Sequence, residues 1–340
     1  MIIAVDASGG EYAPHEIVKG AIKAAQDFKI GIALVGKKEI LGLQARHHMK
    51  NLDVSIIDAP EVIEDAESPI EAVTKKQNSS IVVGINMVKE GKAAAFVSAG
   101  STGAVMFAAF AMLGRVEGIE RPAIGSIITI NINSPFLLLD CGANPNCRPK
   151  HLLQFAQMGN IYVREVFGVT SPRIALLNNG EEEKKGNQLA RETYQVLKTS
   201  DLNFVGNIEG QNLSKGMADV VVTDGFTGNI VLKTLEGVGE AFLNLKNSGP
   251  APSPTDSMQL DVGFGSLVKR IDYRESGGAC LLGLNGNVII SHGRSQAKAI
   301  RNAIGMAKQS IDRNVCQIIQ QYKFTEPIVQ PVEPNGDANS

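Results

Sequence analysis

Five residues in one short turn have the types and spacing to hold an anion: Asp224, Gly225, Thr227, Gly228 and Asn229, within VVVTDGFTGNIVLK over 220–233. No charged residue follows Asp224 until Lys233. An apolar β run ends at the turn and a helical pattern resumes behind it at Ile230 and Leu235. The first N–H groups of a helix have no intrahelical partner, and the positive end of the helix dipole lies behind them, so such a turn is a natural seat for phosphate or carboxylate. A purely structural strand-to-helix corner reads the same way in isolation.

The pattern recurs. AFVSAGSTGAVM over 95–106 sets Ser98, Ser101 and Thr102 beside Gly100 and Gly103, again between a strand and a helix. The opening strand IIAVD ends at Asp6 and runs into Gly9 and Gly10, with Pro14 and His15 at the start of a helix. Asp6 suits either a ligand group at a strand's carboxyl end or an Asx turn. DCGANPNCRPK places Asp140, Asn144 and Asn146 at another strand end. Lys185, beside Gly186 in LLNNGEEEKKGN, either reaches an anion or belongs to a solvated charged turn. His292 opens the last helical stretch, as turn anchor or ligand.

Strands alternating with helices position these turns, which predicts a mostly parallel sheet with right-handed crossovers. The apolar periodicity predicts one helix over 69–90, entered at Pro69, and one long helix from Arg294 to Tyr322. We expect a single large α/β catalytic domain over 1–322, with a flexible Pro- and Ser-rich segment over 246–262 and a disordered tail over 323–340. A short apolar patch follows the segment at Phe264, Leu267 and Val268. Ala93 to Gly114 carries no charge, but SAGSTGA interrupts it, so strand plus helix is expected there and no transmembrane span.

Composition excludes several classes of function. With 340 residues, 44% of them hydrophobic, the chain is a globular protein with ample core. A net charge of −2 provides no basic footprint, so no nucleic acid is expected. Four sparse cysteines and no basic-then-apolar leader point to the cytoplasm. Cys141 and Cys147 do not have a zinc spacing, so no metal is expected.

Taken in order, SGGEYAP, VSAGSTGA, RPAIG, LLLDCGANPNCRP, QFAQMGN, LLNNGEEEKKGN, GNIEG, VVTDGFTGN, GGACLLG and HGRS closely resemble the bacterial phosphate acyltransferase family of phospholipid synthesis. The resemblance covers about residues 1–245 and 270–322. It implies transfer of a long-chain acyl group from acyl carrier protein to inorganic phosphate, giving an acyl phosphate for a glycerol-3-phosphate acyltransferase. It further implies a three-layer α/β/α sandwich similar to phosphate acetyltransferases and isocitrate dehydrogenases, a homodimer, no cofactor, and peripheral contact with the inner face of the membrane. The chain departs from the family at Ser8-Gly9-Gly10-Glu11, where Met-Gly-Gly-Asp is usual, at Ser101, where Asn is usual, and after Leu245.

That reaction needs phosphate held against a thioester carbonyl, with the oxyanion and the departing thiolate both stabilised. We expect direct attack by bound phosphate, with no acyl-enzyme. The Ser98–Gly103 and Asp224–Asn229 turns are expected to hold the phosphate and carbonyl oxygens and Lys185 to neutralise charge, with Asp224 or His15 handling the proton. Two rivals stand beside this reading: a short-chain phosphotransacetylase using acyl-CoA, and a non-catalytic scaffold that binds acyl carrier protein. A nicotinamide-dependent dehydrogenase fits less well, because no GxGxxG follows the first strand.

Overall fold

The computed structural model describes residues 1–46, 49, 51–131, 133–248 and 277–325, with backbone alone for 242–248. Strand β1 (Ile2–Asp6) leads through a turn to α1 (His15–Phe28), which buries Ile17, Ala21 and Ala24 on one face and ends at Lys29 in the left-handed conformation. Strand β2 (Gly31–Gly36) is buried throughout, as the sheet interior requires. Helix α2 (Lys38–Ala45), β3 (Val54–Asp58), α3 (Pro69–Lys75), α4 (Ser80–Lys89), β4 (Ala95–Ser98) and α5 (Thr102–Leu113) follow. Then come β5 (Ala123–Ile128), β6 (Phe136–Leu139), α6 (Pro149–Phe167), β7 (Ile174–Asn178), α7 (Gln188–Lys198), β8 (Phe204–Glu209), β9 (Val220–Val222) and α8 (Gly225–Ser248). Strands β10 (Ala279–Leu282) and β11 (Asn287–Ile290) lead to α9 (Ala297–Asp312) and α10 (Val315–Gln321).

The described strands form one sheet of eleven, in the order β3-β2-β1-β4-β11-β10-β5-β6-β9-β7-β8. Side chains alternate between two cores, as a period of two dictates. Ile3 and Val5 lie in one and Ala4 in the other; Leu137 and Leu139 lie in one, Phe136 and Leu138 in the other. The first core is roofed by α1, α2, α6, α7, α9 and α10 through residues such as Ile17, Leu41, Phe155, Leu197, Ile300 and Ile319. The second is roofed by α3, α4, α5 and α8 through Val73, Ile85, Val105 and Leu235. This is the expected three-layer sandwich.

Strand direction sets where the turns emerge. Strands β3, β2, β1, β4 and β11 pair in parallel, and so do β6, β9, β7 and β8. Between the two blocks, β10 pairs antiparallel with β11 and with β5, and β5 pairs antiparallel with β6. The two blocks therefore run in opposite senses. The carboxyl end of β4 lies at one end of the strands and the carboxyl end of β9 at the other.

Two long-helix expectations are corrected. Over 69–90 the chain forms α3 and α4, because Ser79 caps a new helix by accepting from Val82 N–H, and Lys76 turns inward to donate to Val62 O and Glu67. After Arg294 the helix begins only at Ala297, and Asn314 in the left-handed conformation separates α9 from α10. Helix α8 runs on to Ser248, into the stretch expected to be a linker. The rest of that stretch, the patch at Phe264, Leu267 and Val268, and the tail beyond 325 lie outside the described residues.

Gly228 is where α8 meets the turn after β6. A Cβ there would lie 1.9 Å from the Asp140 carbonyl oxygen, whereas one at Gly237 on the same helix would meet nothing within 4 Å. We expect Gly228→Ala to destabilise by at least the ~1–3 kcal/mol of an overpacked site. Gly237→Ala is expected to be neutral or stabilising, as alanine is in a helix. Urea midpoints of the two variants check this, and equal midpoints would refute the packing argument.

Candidate functional site

The turns form two groups, each built on a buried aspartate at a strand end. In the first, Asp6 Oδ1 accepts from Ser8 N–H and Gly9 N–H at 3.0 Å each, and Oδ2 accepts from the Ser98 hydroxyl at 2.7 Å. Ser98 Oγ in turn accepts from Gly100 N–H at 3.0 Å. Asp6 is thus turned inward as an Asx-turn anchor. A Cβ at Gly9 would stand 2.3 Å from Asp6 Oδ2 and 2.8 Å from Gly100 Cα, so only glycine fits. Gly10, at φ +101°, lets Glu11 N–H reach Gly293 O at 2.8 Å, which ties in the turn after β11. Burial raises the carboxyl pKa of Asp6 above its ordinary value, against the opposing hydrogen bonds of Ser80 and Ser98.

The remaining members of this group differ in exposure. Ser101 is buried before α5 without capping it, Thr102 is exposed, and Gly103 sits under Pro69. His15 stands in solvent, 3.9 Å from Glu16. His292 Nδ1 accepts from Arg294 N–H at 3.1 Å, which leaves the proton on Nε2, 3.7 Å from Glu236 Oε2 on α8. Desolvation lowers the His292 pKa, with Glu236 opposing.

The second group is built on Asp140. Its Oδ1 accepts from Ile124, Gly142 and Ala143 N–H at 2.9, 3.2 and 3.1 Å. Its Oδ2 accepts from the Asn144 backbone at 2.7 Å and the Asn144 side-chain amide at 2.9 Å. Desolvation raises the Asp140 pKa. A Cβ at Gly225 would lie 2.7 Å from both Asn144 N and Asp140 Oδ2, so the turn after β6 and the start of α8 interlock.

Most donors of the Asp224–Asn229 turn are already committed, contrary to the expectation of free N–H groups. Gly225 N–H donates to Asn144 O, Thr227 N–H and hydroxyl to the Asp224 carboxylate, and Gly228 N–H to Asp224 O, at 2.8–2.9 Å. Asp224 is therefore the cap of α8. Asn144 is also turned inward, donating to Pro122 O at 2.8 Å. The Asn229 amide is exposed beside Gly142 and has no hydrogen-bond partner among the described residues. Lys185 is likewise exposed, on the turn after β7, and its ammonium has no ion pair among the described residues.

Of the expected site residues, Asp6, Gly9, Gly10, Ser98, Gly100 and His292 come together at one end of the strands. Asn144, Lys185, Asp224, Gly225, Thr227, Gly228 and Asn229 lie at the other. The Ser98–Gly103 and Asp224–Asn229 turns are not in contact within one chain, and His15 and Asp224 do not share a site. Helix α8 bridges the groups: from Gly225 to Glu236, beside His292, it rises about 16 Å at 1.5 Å per residue. The sequence gives no signal for Ser80 or Glu236, and it marks Asp140 only as a residue at a strand's carboxyl end. Asp140 carried the same signal as Asp6, an aspartate at the end of an apolar strand followed by small residues.

The cysteines are poor nucleophiles. Burial, with Asp140 nearby, pushes the Cys147 thiol up to about 12, and its Sγ donates to Asn144 O at 3.3 Å. Burial raises Cys141 as well and pushes Cys280 up to about 11. Among the described residues no cluster of His, Cys, Asp and Glu is arranged to hold a metal ion, and no helix is long and apolar enough to cross a membrane.

Comparison with known proteins agrees with this architecture. The sequence model of a family described as "Fatty acid synthesis protein" matches residues 1–318. A protein named "Phosphate acyltransferase" from Dehalococcoides mccartyi is 54% identical over 326 residues, covering 94% of each chain. One of the same name from Dictyoglomus turgidum is 49% identical, covering 93% of this chain and 95% of its own. Among solved structures, a phosphotransacetylase from Streptococcus pyogenes superposes with a TM-score of 0.57 at 19% identity, over 92% of this chain and 94% of its own. A branched-chain phosphotransacylase from Enterococcus faecalis gives 0.59 at 15% identity, over 92% and 99%. These two structures establish the fold.

Because burial lowers the His292 pKa, the folded chain takes up a proton there less readily than the unfolded chain. Its folded pKa lies below the ordinary 6.5, so stability is lost as pH falls below that value. We expect His292→Gln to reduce the drop in urea midpoint between about pH 7.5 and about pH 5.5. An unchanged drop would show that His292 titrates alike in both states.

Proposed function

This chain belongs to the phosphate acyltransferase family of fatty acid synthesis proteins, and from that premise we propose the following course for its reaction. A phosphate oxygen attacks the thioester carbonyl of a long-chain acyl group on acyl carrier protein. The C–S bond breaks, the carrier's thiolate leaves and takes a proton, and acyl phosphate is released. The observation that carries this reading is the placement of Lys185 and Asn229, two exposed polar side chains without partners among the described residues. Both stand at the carboxyl ends of neighbouring strands, above turns that are already internally bonded. Lys185 neutralises phosphate, and the Asn229 amide faces the carbonyl oxygen as charge develops on it. The high thiol pKa of Cys147 supports direct attack without an acyl-enzyme.

Helix α8 gives the substrate its length. The phosphate lies near its first turn, and the group at Ser98 and His292 lies about 16 Å along, within reach of an extended thioester arm. On its outer side Phe226, Ile230 and Val238 are exposed at helical spacing, which suits burial against a second copy and supports a homodimer. Peripheral contact with the membrane and hand-over of acyl phosphate to a glycerol-3-phosphate acyltransferase complete the reading, on the family resemblance alone.

Hydroxylamine trapping of acyl phosphate tests it, with long-chain acyl carrier protein and acetyl-CoA in parallel. We expect product from the carrier substrate alone. Lys185→Ala and Asn229→Ala should each lower kcat/KM on the order of 10²-fold, as loss of one preorganised donor does. Cys147→Ser should retain the rate. Product from acetyl-CoA alone would move the chain to the short-chain phosphotransacetylase reading, and no product with carrier protein still bound would point to the scaffold.

A further inference from the structure

Arg121 is an exposed cation at the rim of the Asp140 group. It precedes β5, which runs antiparallel to β6, so the amino end of β5 lies beside the carboxyl ends of β6, β9 and β7. From β5 to β7 is three strand spacings, about 14 Å at ~4.8 Å each. Arg121 therefore flanks the Asp140–Asn144 and Asp224–Asn229 turns on one side and Lys185 flanks them on the other.

The loop that carries Arg121 is clamped to the turn. Asn144 Nδ2 donates to Pro122 O at 2.8 Å, Ile124 N–H donates to Asp140 Oδ1 at 2.9 Å, and Cys141 N–H donates to Ile124 O at 2.9 Å. Glu120, the neighbouring carboxylate, is committed elsewhere: it meets Arg148 at 2.5 Å and both Lys150 and His151 at 3.0 Å. The Arg121 guanidinium is left without an ion pair among the described residues. Its charge nonetheless acts on the Cys147 thiol and on His151, which places it close to the turn.

We propose that Arg121 is a phosphate-binding residue of this site, clasping the nucleophilic phosphate from the side opposite Lys185. A guanidinium offers a planar fork that matches two phosphate oxygens, and an ammonium does not. The clamp by Asp140 and Asn144 holds the fork's backbone still, so less freedom is lost on binding. The inference rests on the phosphate-transfer reading above and adds a second cation to it.

Two measurements test it. In the wild-type protein, modification of arginines by phenylglyoxal is read residue by residue by mass spectrometry, with and without inorganic phosphate. Phosphate should slow labelling of Arg121 and leave Arg313, exposed at the carboxyl cap of α9, unchanged. In parallel, Arg121→Ala should raise the KM for phosphate on the order of tenfold, the effect of losing a charge-assisted hydrogen bond, with the KM for acyl carrier protein unchanged and Arg121→Lys recovering part of the loss. Equal labelling with and without phosphate overturns the proposal. So does a rise confined to the KM for acyl carrier protein, which would assign Arg121 to carrier docking. Phosphate protection of Arg121 in a protein that makes no acyl phosphate would uphold the site and overturn the proposed reaction instead.

Discussion

The structure depends on two carboxylates buried without a cation. Asp6 and Asp140 each end a central strand, and each is held by N–H and hydroxyl donors from the turn that follows and from a neighbouring strand end. Removing a carboxylate from water is costly, and desolvation raises the pKa of both groups. Several hydrogen bonds to each offset that cost, and the same bonds dictate the paths of 8–9, 98–100 and 142–144. A turn organised around a buried acceptor has little freedom to drift. The glycines follow from this: at Gly9 and Gly225 a side chain would collide with the aspartate itself.

Helix α8 converts two separate turn groups into one surface. Asn229, Lys233, Glu236 and Glu240 recur at spacings of three and four, so they share a helix face. Asn229 stands over the Asp140 turn, Glu236 is beside His292, and Glu240 meets Arg294 at 2.9 Å. Lys233 and Glu236 pair at 2.8 Å between the two ends. The face runs from one carboxyl edge of the sheet to the other, over a span that the opposed strand directions create.

The sequence made the local structure legible and left the global directions hidden. Runs such as IIAVD and GIALVG announced buried parallel strands, and VVVTDGFTGN announced a strand, a turn and a helix start. Nothing local says that β10, β5 and β6 pair antiparallel between two parallel blocks, because those partners are far apart in sequence. The Ser98 and Asp224 turns therefore read as one site and emerge at opposite ends. The same limit applies to hydrogen bonds. Glycine turns advertise N–H donors, but whether those donors face a ligand depends on acceptors such as Asn144 O, supplied by another turn. Helix breaks at Ser79 and Asn314 are hidden in the sequence for a simpler reason: the apolar period continues across them, and a cap is the weaker signal.

This division of labour has a chemical consequence. Phosphate must be held firmly enough to lose water, yet acyl phosphate must leave. A seat made from free helix-end N–H groups and a buried cation would bind both strongly. Here the inner turns satisfy themselves, and the side chains that remain available, Asn229, Lys185 and Arg121, stand exposed at the rim. Exposed charges are screened by water and salt, so each binds modestly in the open site. If, as proposed, an acyl chain and its carrier cover the turn and exclude water, the attraction of these charges strengthens, because the local dielectric then falls. On the proposed reaction, strong phosphate binding would in this way be tied to the presence of the second substrate and would relax when the carrier departs.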